Sequence, residues 1–151
     1  MLSELTIKEF LEKIASEFPT PGGGSVAALS AALAASLTEM VANLTIGKQG
    51  YDDVEDEMKA VAQDALRLKS KFVSGIDKDS NAYNDVITAI KLPGDTEAEK
   101  RHREEMIQSG LKQAALVPMA VAEDAIRVME LAGKTVANGN KNAIGFCVNS
   151  L

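Results

Sequence analysis

The stretch FPTPGGGSVAALSAALAASLTEMVANLT, Phe18 to Thr45, constrains the fold more than any other part of the chain. Its two prolines stop any helix that reaches them, and its three glycines form a loop. Beyond Ser25, a plausible N-cap, comes a helix running to about Thr45. Seven alanines between Ala27 and Ala42 leave this helix thin. Small residues let neighbouring backbones approach closely, so it is expected to be a central helix, covered on several sides by other helices.

The flanking segments supply those neighbours. Thr6-Ile7-Lys8-Glu9 has the capping-box form, and Ile7, Phe10, Leu11 and Ile14 follow at helical spacing. A first helix is expected to reach about Glu17, where Pro19 and Pro21 follow. After a break at Ile46 to Gly50, a third helix starts at Asp52 or Asp53. Its inner face carries Val54, Met58, Val61, Ala62, Ala65, Leu68 and Phe72. Gly75 is a weak interruption, and a further helix is expected from Asp79 to Lys91, closed by Leu92-Pro93-Gly94. Acidic residues in Asp95 to Lys100 suit the start of a last long helix. Pro118 is expected to kink it, and Gly133, Asn138 and Gly139 to end it beyond Ala132. No segment alternates as a strand would. The pattern predicts an all-α fold, an antiparallel multi-helix bundle, with residues 1–144 as its helical domain.

Composition agrees. The chain has 151 residues, 46% hydrophobic but only 4% aromatic and without tryptophan, so the core must be built from Ala, Leu, Val, Ile and Met. A net charge of −6 argues against nucleic acid or an anionic membrane as the main partner. Cys147 is the single cysteine, which leaves no intrachain disulfide and suits a reducing compartment. Charges at Glu4, Lys8 and Glu9 do not fit a signal peptide, and the apolar run Val26 to Leu37 is short for a bilayer. A cytoplasmic protein is expected.

General chemistry assembles no catalytic constellation. His102 is the only histidine and lies in a charged stretch, which reads as a solvated helix face. One histidine and one cysteine do not make a typical structural zinc site. The PTPGGGS loop lacks the Lys-Ser/Thr pair of a P-loop, and no strand precedes it. Ser36, Glu39 and Asn43 form a polar stripe on the second helix; its spacing fits an internal hydrogen-bond network as well as a ligand site. Asp79 and Tyr83 share a helix face. A carboxylate there serves acid–base work or caps a helix, and on residue type alone the cap is favoured.

Four blocks carry a resemblance. PTPGGGSVAALSAALAASLTEMVANLTIGKQGY, DKDSNAYNDVITAIKLP, GLKQAALVPMAVAE and GNKNAI occur in the order found in the formiminotransferase-cyclodeaminase family, in its cyclodeaminase/methenyltetrahydrofolate cyclohydrolase domain. The resemblance implies a helical homodimer or higher oligomer that binds a tetrahydrofolate derivative near the Gly-rich loop, with no cofactor beyond that substrate and no metal. It implies one of two activities: closing 5-formiminotetrahydrofolate to 5,10-methenyltetrahydrofolate with release of ammonia, or hydrolysing the methenyl bridge to 10-formyltetrahydrofolate. By similarity Asp79 matches the family's catalytic aspartate. The expected substrate contacts are Pro21, Gly22, Gly23, Gly24 and Ser25, with Glu39, Asn43, Tyr83 and Asn140. Lys48 and Lys141 are placed against the folate's glutamate tail by charge type.

The likeness stops near the C-terminus. The family's fourth block continues with a Ser-Asp pair and long helices, whereas residues 145–151 here, GFCVNSL, carry no charge and no helical pattern. Taken with that departure, the contrasting expectation is a shortened, inactive chain that binds folate or serves as a helical oligomerisation module.

Overall fold

The computed structural model describes residues 1–148, and every regular element among them is helical. Helix α1 spans Ile7–Ile14, α2 Gly23–Asn43, α3 Glu55–Ile90, α4 Glu97–Asn138 and α5 Ile144–Val148. Short 3₁₀ turns at Leu2–Glu4 and Asp52–Val54 precede α1 and α3. The expected all-α architecture is the one observed.

Two compact units divide the chain. One comprises Met1–Ala28 with Ser74–Val121, the other Leu29–Val73 with the chain from Ala122 onward. Helices α2, α3 and α4 each contribute a segment to both. In the first unit, Ser25 meets Asp79 while Ala28 lies beside Gly75, so α2 and α3 run antiparallel. Gly75 also faces Val121, and Val86 faces Gly110, so α3 and α4 run antiparallel as well. Phe10, Ile76, Ala82, Val86 and Ala89 are buried there.

In the second unit, Met58, Val61, Ala65, Leu68 and Phe72 are each at most 2% exposed. Their three- and four-residue spacing is the stripe expected of α3. Burying a side chain of the larger kinds is worth about 1.5–3 kcal/mol, so this stripe is a main source of the unit's stability. Val41, Ala132 and Ala143 form a neighbouring buried cluster against which Val136 packs. The ion pairs Lys69–Glu39 and Lys71–Asp124, and the bond from Asn138 to Glu57, tie helices together around these residues.

Several boundaries differ from the sequence reading. Helix α1 closes at Ile14 and not at Glu17; its Thr6–Glu9 capping box is present, but only Phe10 of its apolar stripe is buried, with Ile7 and Leu11 exposed. Helix α2 starts at Gly23, so Ser25 is its third residue and not its N-cap. Its buried residues, Ser25, Ala28, Ala32, Ala35, Thr38, Val41 and Ala42, form a single stripe, and Leu33 is 57% exposed. Among the described residues, full burial along α2 follows this stripe, while Val26, Leu29, Ala34 and Leu37 are half-buried. The helix spans 21 residues, and its most apolar 18-residue window has a mean hydropathy of 1.5, so by length and composition it could cross a membrane, where the run Val26 to Leu37 alone is short.

Gly75 does not interrupt α3, which is one helix of 36 residues, so Asp79 lies mid-helix and caps no helix of its own. Likewise α4 runs unbroken through Pro118 and Gly133 to Asn138. Tertiary packing overrides the weak local preference of a single glycine. The short α5 begins where GFCVNSL shows no helical pattern, and residues 149–151 of that tail lie outside the described residues.

A methyl group at position 75 would sit 3.5 Å from both Ala28 Cβ and Val121 Cγ2, ordinary van der Waals contact. Gly75→Ala should therefore stabilise the protein by about 0.5–1 kcal/mol, through helix propensity and a less flexible unfolded chain. Thermal or urea unfolding measures this; a lower midpoint would show that Ala28 and Val121 do not leave that room.

Candidate functional site

The sequence brings an aspartate in the middle of one helix against the first turn of another. Asp79, on α3, accepts a hydrogen bond at Oδ2 from the Ser25 backbone N–H at 2.8 Å. The Ser25 hydroxyl lies 3.1 Å from the same oxygen. The first N–H groups of a helix have no acceptor within it, and its N-terminus favours negative charge. The Asp79 carboxylate thus does for α2, from a different helix, what an N-cap side chain does locally. This explains why α2 needs no capping residue before Gly23.

Ser25 is fully buried. Its hydroxyl is also 2.8 Å from the Ile76 carbonyl oxygen and 3.1 Å from the Ser80 hydroxyl. Ile76, Asp79 and Ser80 occupy adjacent turns of α3 and surround this one side chain. Gly24 completes the arrangement: a Cβ there would fall 2.8 Å from Asp79 Oδ2 and closer still to its Cγ and Oδ1. The same construction at Gly23 meets open space, and at Gly22 it meets only the Pro19 carbonyl at 3.7 Å. Of the three glycines, Gly24 is the one that a close approach requires, and what approaches it is the carboxylate.

Beside this contact, in the same unit, lies a cleft of about 490 Å³ whose lining includes Lys13, Thr20, Ser80, Asn81 and Asn84. Its remaining wall is the N-terminal segment, which Asp77 holds down. Asp77 accepts from the Leu2 N–H at 2.6 Å and from the Ser3 hydroxyl at 2.5 Å. Burial pushes the Asp77 carboxyl up, but the hydrogen bonds from Ser3 and Leu2, with the nearby N-terminal charge, together outweigh it and hold it below the usual aspartate range.

The residues expected to contact a ligand do not all gather here. Gly24, Ser25 and Asp79 touch, and Pro21 is buried just ahead of them. Tyr83, one turn beyond Asp79, is 39% exposed. The others belong to the second unit. Glu39 is held by Lys69 at 2.6 Å, and the Ser36 hydroxyl donates to the Ala32 carbonyl, so two members of the polar stripe are partnered within the protein. Glu39 and Asn43 also line an open groove of about 600 Å³ with Lys59 and Gln63.

Asn140 is buried and bonded at both ends of its amide: Nδ2 donates to the Leu44 carbonyl at 3.1 Å, and Oδ1 accepts from the Asn142 N–H at 3.1 Å. Its backbone N–H donates to Thr45 Oγ1 at 2.9 Å. Asn140 therefore locks the turn after α4 onto the end of α2. Lys141 donates its backbone N–H to the Tyr51 hydroxyl at 3.1 Å, while its side chain and that of Lys48 are exposed. His102, exposed as expected, lines a separate cleft of about 450 Å³ with Asp85, Thr88, Ser109 and Gln113. Sequence reasoning missed Ser80 and the Ile76 carbonyl. Their spacing to Asp79 on one helix was visible, but only a continuous α3 turns that spacing into a shared environment.

An all-helical chain with a single carboxylate set on a glycine-rich helix start is the class that fold and site define. Residues 6–146 match the formiminotransferase-cyclodeaminase family, and the chain belongs to that family. It is 41% identical over 144 residues to a methenyltetrahydrofolate cyclohydrolase of Methylorubrum extorquens, covering 95% of this chain and 69% of that one. It is 35% identical over 117 residues to a formimidoyltransferase-cyclodeaminase of Sus scrofa, covering 78% of this chain but 22% of the relative. The crystal structure of a formiminotetrahydrofolate cyclodeaminase from Thermotoga maritima matches with a TM-score of 0.86 at 35% identity, covering 99% of this chain and 71% of that one.

Two outcomes follow from the site's geometry. Gly24→Ala places a methyl group against the Asp79 carboxylate, so either the carboxylate or the start of α2 must move; the expected cost is about 1–3 kcal/mol, in the range of overpacking a tight contact. A variant as stable as the wild type by urea unfolding would refute that close approach. For Asp77 the folded carboxyl is held down. Its contribution to stability is therefore present above about pH 4, the ordinary aspartate range, and is lost as the pH falls through the lower folded value. The protection of the Leu2 and Ser3 amides against exchange should fall in that acid window in the wild type, and in Asp77→Ala, which removes both acceptor oxygens, it should be low already at neutral pH.

Proposed function

We propose that this chain is an enzyme of folate one-carbon metabolism and that Asp79 is the group that handles the proton in its reaction. The observation that carries the reading is the Asp79 carboxylate fastened by Ser25 at the glycine-rich start of α2. It unites the first two of the four sequence blocks in one place. The family match and the solved cyclodeaminase relative support the reaction class.

In the first reading the reaction is cyclodeamination of 5-formiminotetrahydrofolate. With the formimino nitrogen already protonated, N10 attacks the formimino carbon and forms a new C–N bond. The tetrahedral centre then expels its exocyclic nitrogen as ammonia, and a methenyl bridge remains between N5 and N10. That nitrogen leaves well only when protonated. A carboxyl group that receives the proton lost by N10 and returns it to the leaving nitrogen performs both transfers. Ser25 holds one oxygen of Asp79 in place while the proton moves. The loop from Pro21 to Gly24, with Tyr83, is proposed to receive the substrate. Glu39, Asn43, Lys48, Asn140 and Lys141 are weaker proposals, since Glu39 and Asn140 already have internal partners.

A second reading, methenyltetrahydrofolate cyclohydrolase, is favoured by the Methylorubrum extorquens relative, which covers nearly the whole of this chain. There a water adds to the methenyl carbon and gives up a proton, N5 takes up a proton as its bond to that carbon breaks, and the new hydroxyl releases its remaining proton to solvent as the formyl C=O forms. The same carboxylate accepts the first proton and returns one to N5. In either reading the protein is proposed to be soluble and cytoplasmic and to work as a homodimer or larger assembly. The exposed residues of α2, Ala27 and Leu33 among them, support the assembly, because they leave apolar surface of a thin helix open to a second copy.

Incubating the purified chain with each substrate separately distinguishes the two. Cyclodeaminase makes the methenyl chromophore appear from 5-formiminotetrahydrofolate, and cyclohydrolase makes it disappear. Asp79→Asn should lower turnover on the active substrate by roughly 10²–10⁴-fold, the usual contribution of general acid–base catalysis. The asparagine oxygen still accepts from the Ser25 N–H, so the fold should persist. Near-full turnover in that variant removes Asp79 from the mechanism, and a wild type inactive on both substrates overturns the folate reading.

A further inference from the structure

The Ser25 hydroxyl has one proton and two oxygen atoms that can only accept it. The Ile76 carbonyl is 2.8 Å away and an ionised Asp79 Oδ2 is 3.1 Å away. A hydroxyl donates once, so both cannot be served together. The third neighbour, the Ser80 hydroxyl at 3.1 Å, is able to donate to Ser25 Oγ whichever acceptor is chosen. Ser25 is fully buried, so water does not replace the missing donor. The backbone N–H of Ser25 stays on Oδ2 in either arrangement.

We propose that Ser25 is a positioning residue for the reaction, whose hydroxyl turns between Asp79 Oδ2 and the Ile76 carbonyl as Asp79 gains and loses its proton. When Asp79 is a carboxylate, the hydroxyl proton points at Oδ2, where the negative charge makes the stronger acceptor. When Asp79 is protonated, that charge is gone and the hydroxyl proton returns to the Ile76 carbonyl. The turn is a rotation about one side-chain bond and moves no heavy atom. It lets a buried group follow a charge that appears and disappears, at no cost in backbone rearrangement. With Oδ2 engaged by Ser25 in both states, Oδ1 is the oxygen that meets the substrate. Gly24 fits this division, because a side chain there would collide most closely with Oδ1.

The charged surroundings are simple on the α2 side, which brings no ionisable residue between Phe18 and Thr38. On α3 the ionisable neighbours within one turn are Asp77, Lys78 and Tyr83, and Asp77 is engaged by Leu2 and Ser3. Ser25 is thus the polar side chain through which α2 acts on Asp79.

The inference rests on the folate reading, and two measurements on Ser25→Ala separate them. The first needs no substrate: carbon-detected NMR titration of the Asp79 carboxyl in the full chain. Loss of a donor to the charged form should move the Asp79 midpoint to higher pH than in the wild type. An unmoved midpoint overturns the proposal whatever the enzyme does. The second is turnover on the active substrate. The variant should lose roughly tenfold or more in kcat, the scale of one hydrogen bond to a charged group, with KM nearly unchanged and the acid limb of its pH–rate profile moved upward. A loss confined to KM, or lower thermal stability with an unmoved pH profile, would make Ser25 merely structural and overturn the proposal. A moved NMR midpoint in a protein inactive on both substrates would leave Ser25's hold on Asp79 standing and overturn the folate reading alone.

Discussion

A carboxylate lying across the start of a helix is the contact on which this site depends. It joins Asp79 to Ser25 across 54 residues of sequence and leaves no room for a side chain at Gly24. Each partner solves a problem for the other. The helix start gains an acceptor for an N–H that has none within the helix, and the carboxylate gains hydrogen-bond donors that hold one of its oxygens in place. Nothing in this arrangement needs a second titratable residue nearby. That matters in a chain with one histidine and one cysteine, where the usual pairings of catalytic side chains are scarce.

Much of the fold was legible from periodicity. The stripe from Met58 to Phe72 is buried as its spacing predicts, and the Thr6–Glu9 capping box closes as its residue types predict. The misplaced features share one cause. Gly75 and Gly133 are weak helix formers, and local preference suggests breaks that packing along α3 and α4 overrides, whereas α4 does end at Asn138 as expected. The Ser25 cap failed for a related reason: an N-cap can be supplied from elsewhere in the chain, and a residue that would suit the role locally is then free to sit inside the helix. Helix α2 was expected to be enclosed because it is thin, yet small residues only permit close neighbours; whether neighbours exist is decided by the rest of the assembly.

The candidate site was legible in part. Asp79 and the Gly-rich loop were singled out from two separate blocks, and the structure puts them in contact. The loop glycines were expected as substrate contacts, while what Gly24 makes room for is a protein carboxylate. Asn140 shows the limit of residue type most clearly. A buried asparagine in a short polar motif suits ligand binding, but its amide is spent on the Leu44 carbonyl and the Asn142 N–H. No spacing rule distinguishes these uses, because both need an amide in the same kind of turn.

A cap borrowed from a distant helix also orders events in time. The first turn of α2 contains Gly23 and Gly24, poor residues for starting a helix unaided. Before α3 arrives, that turn has no carboxylate to satisfy it and is expected to fray. Closing the 54-residue separation between Ser25 and Asp79 costs chain entropy that must be met by other contacts first. The start of α2 should therefore acquire its final form late in folding, after the apolar stripe of α3 has found its neighbours. The contact between Ser25 and Asp79 would then be the last part of its neighbourhood to form and the first to open, which places the candidate site at the soft end of the molecule's local stability.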